Sequence, residues 1–160
     1  MQFLFELHQK RWESRGLPGI FANQRSRDFN LDIAKFLFHR KWLCLFLLRL
    51  SGKPVSVAYG FKYRSKFYEY ITGLDPEYKK YNVGNLLRAH MISKLIQEGL
   101  TEFDFMRGAE EYKDRWNTLT RWNRQAILTR KGILAGVQHR LHDEYWYQGN
   151  RLKSLLKMKQ

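Results

Sequence analysis

Cysteine is nearly absent from this chain of 160 residues: Cys44 stands alone, so no intramolecular disulfide can form and a disulfide-stapled secreted fold is excluded. Only three prolines occur, no Gly/Ser-rich stretch divides the chain, and no repeat or low-complexity segment is found. The longest apolar run, residues 42–48, falls far short of the about 20 residues that span a bilayer. A signal-peptide pattern is lacking too, because Glu6, His8, Lys10 and Arg11 interrupt the apolar residues of the N-terminus. These absences predict a cytoplasmic chain, soluble or at most peripheral, folded as one domain over residues 1–160. Acidic residues are also scarce, 15 against 29 lysines and arginines, for a net charge of +14. Such a balance favours anionic partners: nucleic acid, a phosphorylated cofactor or an acidic membrane surface. The histidines His8, His39, His90, His139 and His142 show no ligand spacing with Cys44 or with carboxylates, so no metal site is expected. No Ser-His-Asp or Cys-His arrangement is present either.

What the chain does have is apolar material, 44% hydrophobic and 16% aromatic residues, enough for a packed core. Apolar spacing predicts helices over residues 3–15 and 28–40, the first stopped by Gly16. Three strands follow, over 42–50, 54–63 and 67–72, with turns at Ser51-Gly52-Lys53 and Arg64-Ser65-Lys66. A loop over 73–83 leads to a helix over 84–98, whose apolar face holds Leu87, Met91 and Leu95 and which Gly99 ends. A short strand over 101–106, a short helix over 110–116 and a strand over 121–129 complete the pattern, with a basic helical tail from 131 to 160. A three-stranded meander followed by a strand-loop-helix-strand unit implies an α/β (α+β) fold with a mixed, mostly antiparallel sheet and flanking helices.

The segment richest in chemistry runs from Tyr68 to Leu87. A strand enters a loop holding Lys79 and Lys80, then Gly84 and the first turn of a helix. First-turn amides have no partner within their helix and, with the helix dipole, attract anions. Glycine at the helix start lets a phosphate approach the backbone. The other reading is a plain helix start beside two solvated lysines.

This stretch resembles the acetyl-CoA signature of the GNAT acyltransferases, in which Arg/Gln-x-x-Gly-x-Gly/Ala precedes the helix. Lys79, Lys80, Tyr81, Asn82, Val83 and Gly84 occupy those six positions. Lysine stands for Arg/Gln, and Asn82 stands for the first glycine, asparagine being the residue that next best tolerates left-handed angles. A second segment, Asp104-Phe105, Gly108, Tyr112-Lys113 and Trp116, is similar to a motif of the CelD/BcsL-like branch. That branch is associated with bacterial polysaccharide biosynthesis and related to the FemAB aminoacyl transferases. Trp12 and Gly52-Lys53-Pro54-Val55 fit it as well, so the likeness extends over residues 3–130. Members of that branch usually carry a further N-terminal lobe; the expectation is that this chain corresponds to the second lobe, which on its own would expose a former interface and form a homodimer.

The resemblance implies an N-acyltransferase that uses acetyl-CoA or another acyl-CoA, with Lys79, Lys80, Asn82, Val83, Gly84 and Asn85 at the cofactor's pyrophosphate. The acceptor is an amine or a sugar. For catalysis it points to Glu69 as a base, Tyr112 as proton donor to the leaving thiolate, and Lys113 at a phosphate or developing oxyanion. The residues alone also permit plainer roles: Glu69 as an exposed strand residue, Tyr112 in the core, Lys113 on the surface, and Asp104 capping the next turn or pairing with Arg107. Alternation places Glu69 on one face with Phe67 and Ile71. Cys44 reads as an inert core residue, and the tail, with Tyr145, Trp146 and Tyr147, either packs on the sheet or docks on an anionic surface. Two rivals remain open: a FemAB-like transferase that takes its group from aminoacyl-tRNA, and a non-catalytic basic binding module.

Overall fold

Helix α1 (Gln2–Glu13) forms because Leu4, Leu7 and His8 recur at helical spacing and are buried together. Helix α2 (Gln24–His39) begins four residues before the start expected from apolar spacing. Its cap is Asn23, whose side chain accepts from the Arg25 N–H, and its first turn, Gln24 to Arg27, is wholly polar and so carries no apolar signal. A 3-10 turn (Ile20–Ala22) between the helices drops Phe21 into the core. These are details of a computed structural model that describes residues 1–108 and 110–124.

Strands β1 (Leu43–Leu50), β2 (Lys53–Tyr63) and β3 (Lys66–Leu74) make the expected antiparallel meander. Leu50 pairs with Lys53 across a two-residue turn in which Ser51 and Gly52 are both left-handed, the hairpin turn that suits strand twist. Helix α3 (Val83–Gln97) then crosses back, and the short strand β4 (Glu102–Asp104) joins β3 in parallel. The result is a four-stranded, mostly antiparallel sheet in the order β1-β2-β3-β4. Helix α4 (Glu111–Asp114) is a single turn.

The sheet has an apolar core on each face. On one, Leu4, Leu7, Phe21, Ala34 and Leu37 of the α1–α2 segment meet Val57, Tyr59 and Ile71. On the other, Leu87, Met91 and Leu95 of α3 meet Cys44, Ala58 and Phe67. Burial pushes the Cys44 thiol up to about 11, which keeps it protonated and unreactive. At Gly73 the α1 backbone lies against the sheet: a Cβ there would sit 2.6 Å from the His8 backbone nitrogen.

Two irregularities set the geometry of β3. Tyr59 pairs with Ile71 but Gly60 with Glu69, so Tyr70 is an extra residue, a β-bulge. The bulge corrects the simple alternation: Phe67 packs against the α3 side and Glu69 bonds to α3, whereas Ile71 packs on the α1–α2 side. Second, β4 pairs with β3 only from Lys66 to Tyr68, leaving residues 69–74 of β3 with β2 as their sole strand neighbour among the described residues.

By its contacts the chain divides into two compact units, Met1–Asn117 and Thr118–Gln160, where the sequence pattern predicts one domain with a tail from Lys131. All elements above belong to the first. In the second, residues 118–124 are irregular, so no strand begins at Arg121; the rest of that expected strand, and the tail with Tyr145 to Tyr147, lie outside the described residues. Among the described residues no helix is long and apolar enough to cross a membrane.

Candidate active site

The open half of β3, the start of α3, the C-terminal end of α1 and the turn of α4 enclose a cleft of about 370 Å³. Its approach from β3 is fixed by Asp75, 1% exposed, which caps the following 3-10 turn (Pro76–Tyr81) by accepting from the Glu77 N–H. Lys10 holds the same carboxylate at 3.0 Å and Lys53 lies at 3.7 Å. Burial raises the Asp75 pKa, but the bonds from Lys10 and the Glu77 N–H and the charges of Lys10 and Lys53 outweigh it, and the carboxyl ends below its usual range.

The turn delivers Lys79 to the cleft and leaves Lys80 exposed over the Tyr81 ring, outside it. Asn82 is left-handed at φ 53° and ψ 36°, and its carbonyl accepts from the Asn85 and Leu86 N–H groups. The amides of Val83 and Gly84 precede those bonds at the head of the helix. A Cβ on Gly84 would meet only Leu74, at 3.6 Å, so internal packing does not demand glycine there; the space above the backbone opens into the cleft. Of the six residues expected at a pyrophosphate, Lys79, Asn82, Val83, Gly84 and Asn85 line this cleft and Lys80 does not.

On the cleft floor lies Glu69, 4% exposed, with Arg88 of α3, 6% exposed. The Arg88 Nε donates to both carboxylate oxygens at 2.9 and 3.2 Å, and its Nη1 donates to Asn85 Oδ1. Burial pushes the Glu69 carboxyl above its usual range, against the pull of Arg88, Lys113 and Arg11. Tyr112 stacks under the Arg88 guanidinium, 4.4 Å from ring to Cζ, and burial together with Glu69 drives its phenol up to about 12. Tyr112 therefore stays protonated at neutral pH.

Lys113 is turned inward. Its Nζ donates to the carbonyls of Met106, Arg107 and Gly108 at 3.0–3.3 Å and pairs with Glu110 at 2.7 Å. It ties the chain after β4 to α4 and so positions Tyr112, rather than lining the cleft. Asp104 caps the turn after β4, accepting from the Met106 N–H at 2.7 Å.

Three cleft residues escape a motif-based reading: Arg88, Arg11 and Arg15. A signal exists for the first two. Arg88 continues the stripe of Met91 and Leu95 on α3, and Arg11 continues that of Leu4 and Leu7 on α1. A cation on a buried stripe requires a partner, and Glu69 is the one acid in β3.

The profile of the acetyltransferase (GNAT) domain family matches residues 1–114. No curated protein matches the chain. Among solved structures, it is similar to the ribosomal-protein-S18-alanine N-acetyltransferase from Escherichia coli, with 18% identity and a TM-score of 0.44 over 61% of this chain and 56% of that one. It is also similar to the aminoglycoside N-acetyltransferase AAC(6')-Iy in complex with CoA, with 15% identity and a TM-score of 0.44 over 68% of this chain and 90% of that one. With the family profile covering residues 1–114 of 160, the chain belongs to the acetyltransferase (GNAT) domain family.

Proposed function

We propose that this chain binds acetyl-CoA or another acyl-CoA in the β3–α3 cleft and transfers the acyl group to an amine or a sugar hydroxyl. One observation carries the reading. The half of β3 beyond β4 runs into a left-handed Asn82 and the head of α3, where Gly84 leaves its backbone uncovered beside Lys79. That combination suits a pyrophosphate. The pantetheine then lies along the open edge of β3, which offers backbone hydrogen bonds that no strand takes up among the described residues.

In the proposed reaction the acceptor nitrogen attacks the thioester carbonyl, the C–S bond breaks, and a C–N bond forms. Backbone N–H groups on the open edge of β3 steady the oxyanion, and holding both reactants in one cleft supplies much of the acceleration. Glu69, raised by burial, takes the amine proton directly or through water. Tyr112 donates a proton to the departing thiolate. Lys113 acts as a positioning residue for Tyr112.

The Asp104-Phe105 to Trp116 motif supports an acceptor from polysaccharide or cell-envelope biosynthesis, by its likeness to the CelD/BcsL-like branch. A second reading, transfer from aminoacyl-tRNA, draws on the +14 charge and predicts affinity for RNA that falls steeply with salt. Calorimetric titration with acetyl-CoA separates these. Micromolar binding is expected, weakened more than about tenfold by Gly84→Asp, whose carboxylate repels and blocks a pyrophosphate. A folded protein that ignores acetyl-CoA would sink the acyl-CoA reading and leave the RNA donor or a binding module.

A further inference from the structure

Five cations line the cleft against two carboxylates, Glu69 and Glu111. Three of the cations have an evident task. Arg88 is paired with Glu69, Arg115 with Glu111 at 3.6 Å, and Lys79 stands at the head of α3. Arg11 and Arg15 do not. Arg11 is partly buried, and its Nη1 donates to Thr72 Oγ1 at 3.1 Å on the open edge of β3. Its Nε is enclosed without a hydrogen-bond partner. Arg15, just beyond the end of α1, is exposed and lies 5.8 Å from the Trp12 ring. Among the described residues neither pairs with a carboxylate.

Burying a guanidinium without an ion pair of its own is unfavourable, and further cations beside it make matters worse. Burial first, then Arg15 and Arg88, push Arg11 below its ordinary pKa, and the opposing pull of Tyr112 and of Glu69, already paired with Arg88, does not cancel it. Arginine forks match carboxylate and phosphate oxygens in bidentate geometry. Both arginines come from the α1 segment, a different element from the α3 head that suits the pyrophosphate. The pantetheine arm and the thioester are neutral and give them nothing to neutralise.

We propose that Arg11 and Arg15 form an anion subsite for the acceptor, so that the acceptor is an amine or amino sugar bearing a phosphate or a carboxylate. This inference rests on the acyl-CoA reading for which end of the cleft the donor fills. Thr72 Oγ1, held by Arg11, fixes the guanidinium on the β3 edge and so sets the distance from the anion to the thioester.

The experiment is calorimetry on protein saturated with CoA. Glucosamine 6-phosphate and glucosamine form one pair of probes, glutamate and glutamate dimethyl ester another. The charged member of at least one pair should bind more than about tenfold tighter, the scale of one charge-assisted bidentate contact. Which pair responds tells phosphate from carboxylate. Arg15→Gln, at an exposed position, should remove most of that preference while acetyl-CoA affinity stays within about twofold; Arg11→Gln should remove it too. Equal or better binding of the uncharged members overturns the subsite. So does an Arg15→Gln variant that weakens CoA but not dephospho-CoA, since the arginines would then hold the 3′-phosphate. If CoA itself fails to bind, the acyl-CoA reading falls separately. Inorganic phosphate titrated into the ligand-free protein then decides the subsite: binding lost in Arg15→Gln keeps it, and no binding removes it.

Discussion

The two halves of β3 differ in their strand neighbours and in what their side chains meet. From Lys66 to Tyr68 the strand has a neighbour on each side, and Phe67 is fully buried against Phe46 and Phe103. From 69 onward its one strand neighbour among the described residues is β2, and Arg88, Arg11, Tyr112 and the head of α3 stand around it. On its α3 side the closed half is held by the apolar contacts of Phe67 and the open half by the charge contacts of Glu69, while Ile71 packs in the apolar core of the other face. Loss of a strand neighbour removes ladder partners on one edge, and that edge becomes available to a ligand. A bulge at Tyr70 sits near the changeover and re-aims the side chains there.

If this division is right, the largest loss of stability should come from the closed half. Phe67→Ala removes a fully buried ring from the α3-side core and should cost about 3–5 kcal/mol in urea denaturation. Thr72→Val on the open half should cost about 1 kcal/mol or less, since it loses one hydrogen bond from Arg11. Equal losses at the two positions would erase the distinction.

Arg88→Met tests whether charge holds the open half. It strands the Glu69 carboxylate in a buried place, with an expected cost of about 3 kcal/mol at neutral pH. The cost should shrink as pH falls, because Glu69, already raised by burial and now without Arg88, protonates and no longer buries a charge. Adding Glu69→Leu should restore stability but not acyl transfer. A variant equally unstable at all pH values would assign Arg88 a packing role instead.

Tyr112→Phe should leave the denaturation midpoint nearly unchanged and lower kcat about a hundredfold, the usual weight of a positioned proton donor. A change confined to KM would move Tyr112 from chemistry to binding.

On the far face of the sheet, His8 offers a smaller contrast. Its Nε2 accepts from the Trp12 Nε1–H at 2.8 Å, and burial, then Arg11, lower its pKa from 6.5 to about 4. The unfolded chain binds the proton first, so the stability contributed by neutral His8 is complete above about pH 6.5 and fades as pH falls toward about 4. Thermal denaturation across that window should show the decline, and His8→Gln should flatten it.

Much of this was legible in the sequence because it rests on short-range pattern. The meander, the α3 stripe of Leu87, Met91 and Leu95, and the turn at Ser51-Gly52 each follow from spacing and turn chemistry. The connection expected as a loop over 73–83 was legible in position, though β3 runs on to Leu74 and the middle winds into the 3-10 turn Pro76–Tyr81. What escaped depends on register and on partners distant in sequence. One extra residue at Tyr70 undoes the alternation that groups Glu69 with Ile71, and no local signal marks it. The inward turn of Lys113 depends on three carbonyls that only the fold brings together. Arg88 and Arg11 were visible as residues, but their meaning needed Glu69 and Thr72 beside them.

The smallest expected effect bears on the joint between strand and helix. Asn82 is left-handed, and no side-chain capping bond ties it to α3, so its contribution to the proposed anion site is a backbone conformation. Glycine reaches that conformation without the steric penalty of a Cβ but loses more freedom on folding. The two effects oppose each other, and Asn82→Gly should therefore shift stability by no more than about 1 kcal/mol. Acetyl-CoA affinity should stay within about twofold, because the Val83 and Gly84 amides keep their directions. Asn82→Val is the sharper arm: a β-branched residue is costly at φ 53°, so the turn must rearrange and the affinity should fall with it. Were Asn82→Gly to weaken binding as much as Asn82→Val, the amide side chain itself would be the ligand contact. The open half of β3 would then lead into a site built from side chains, not from the exposed backbone of a helix start.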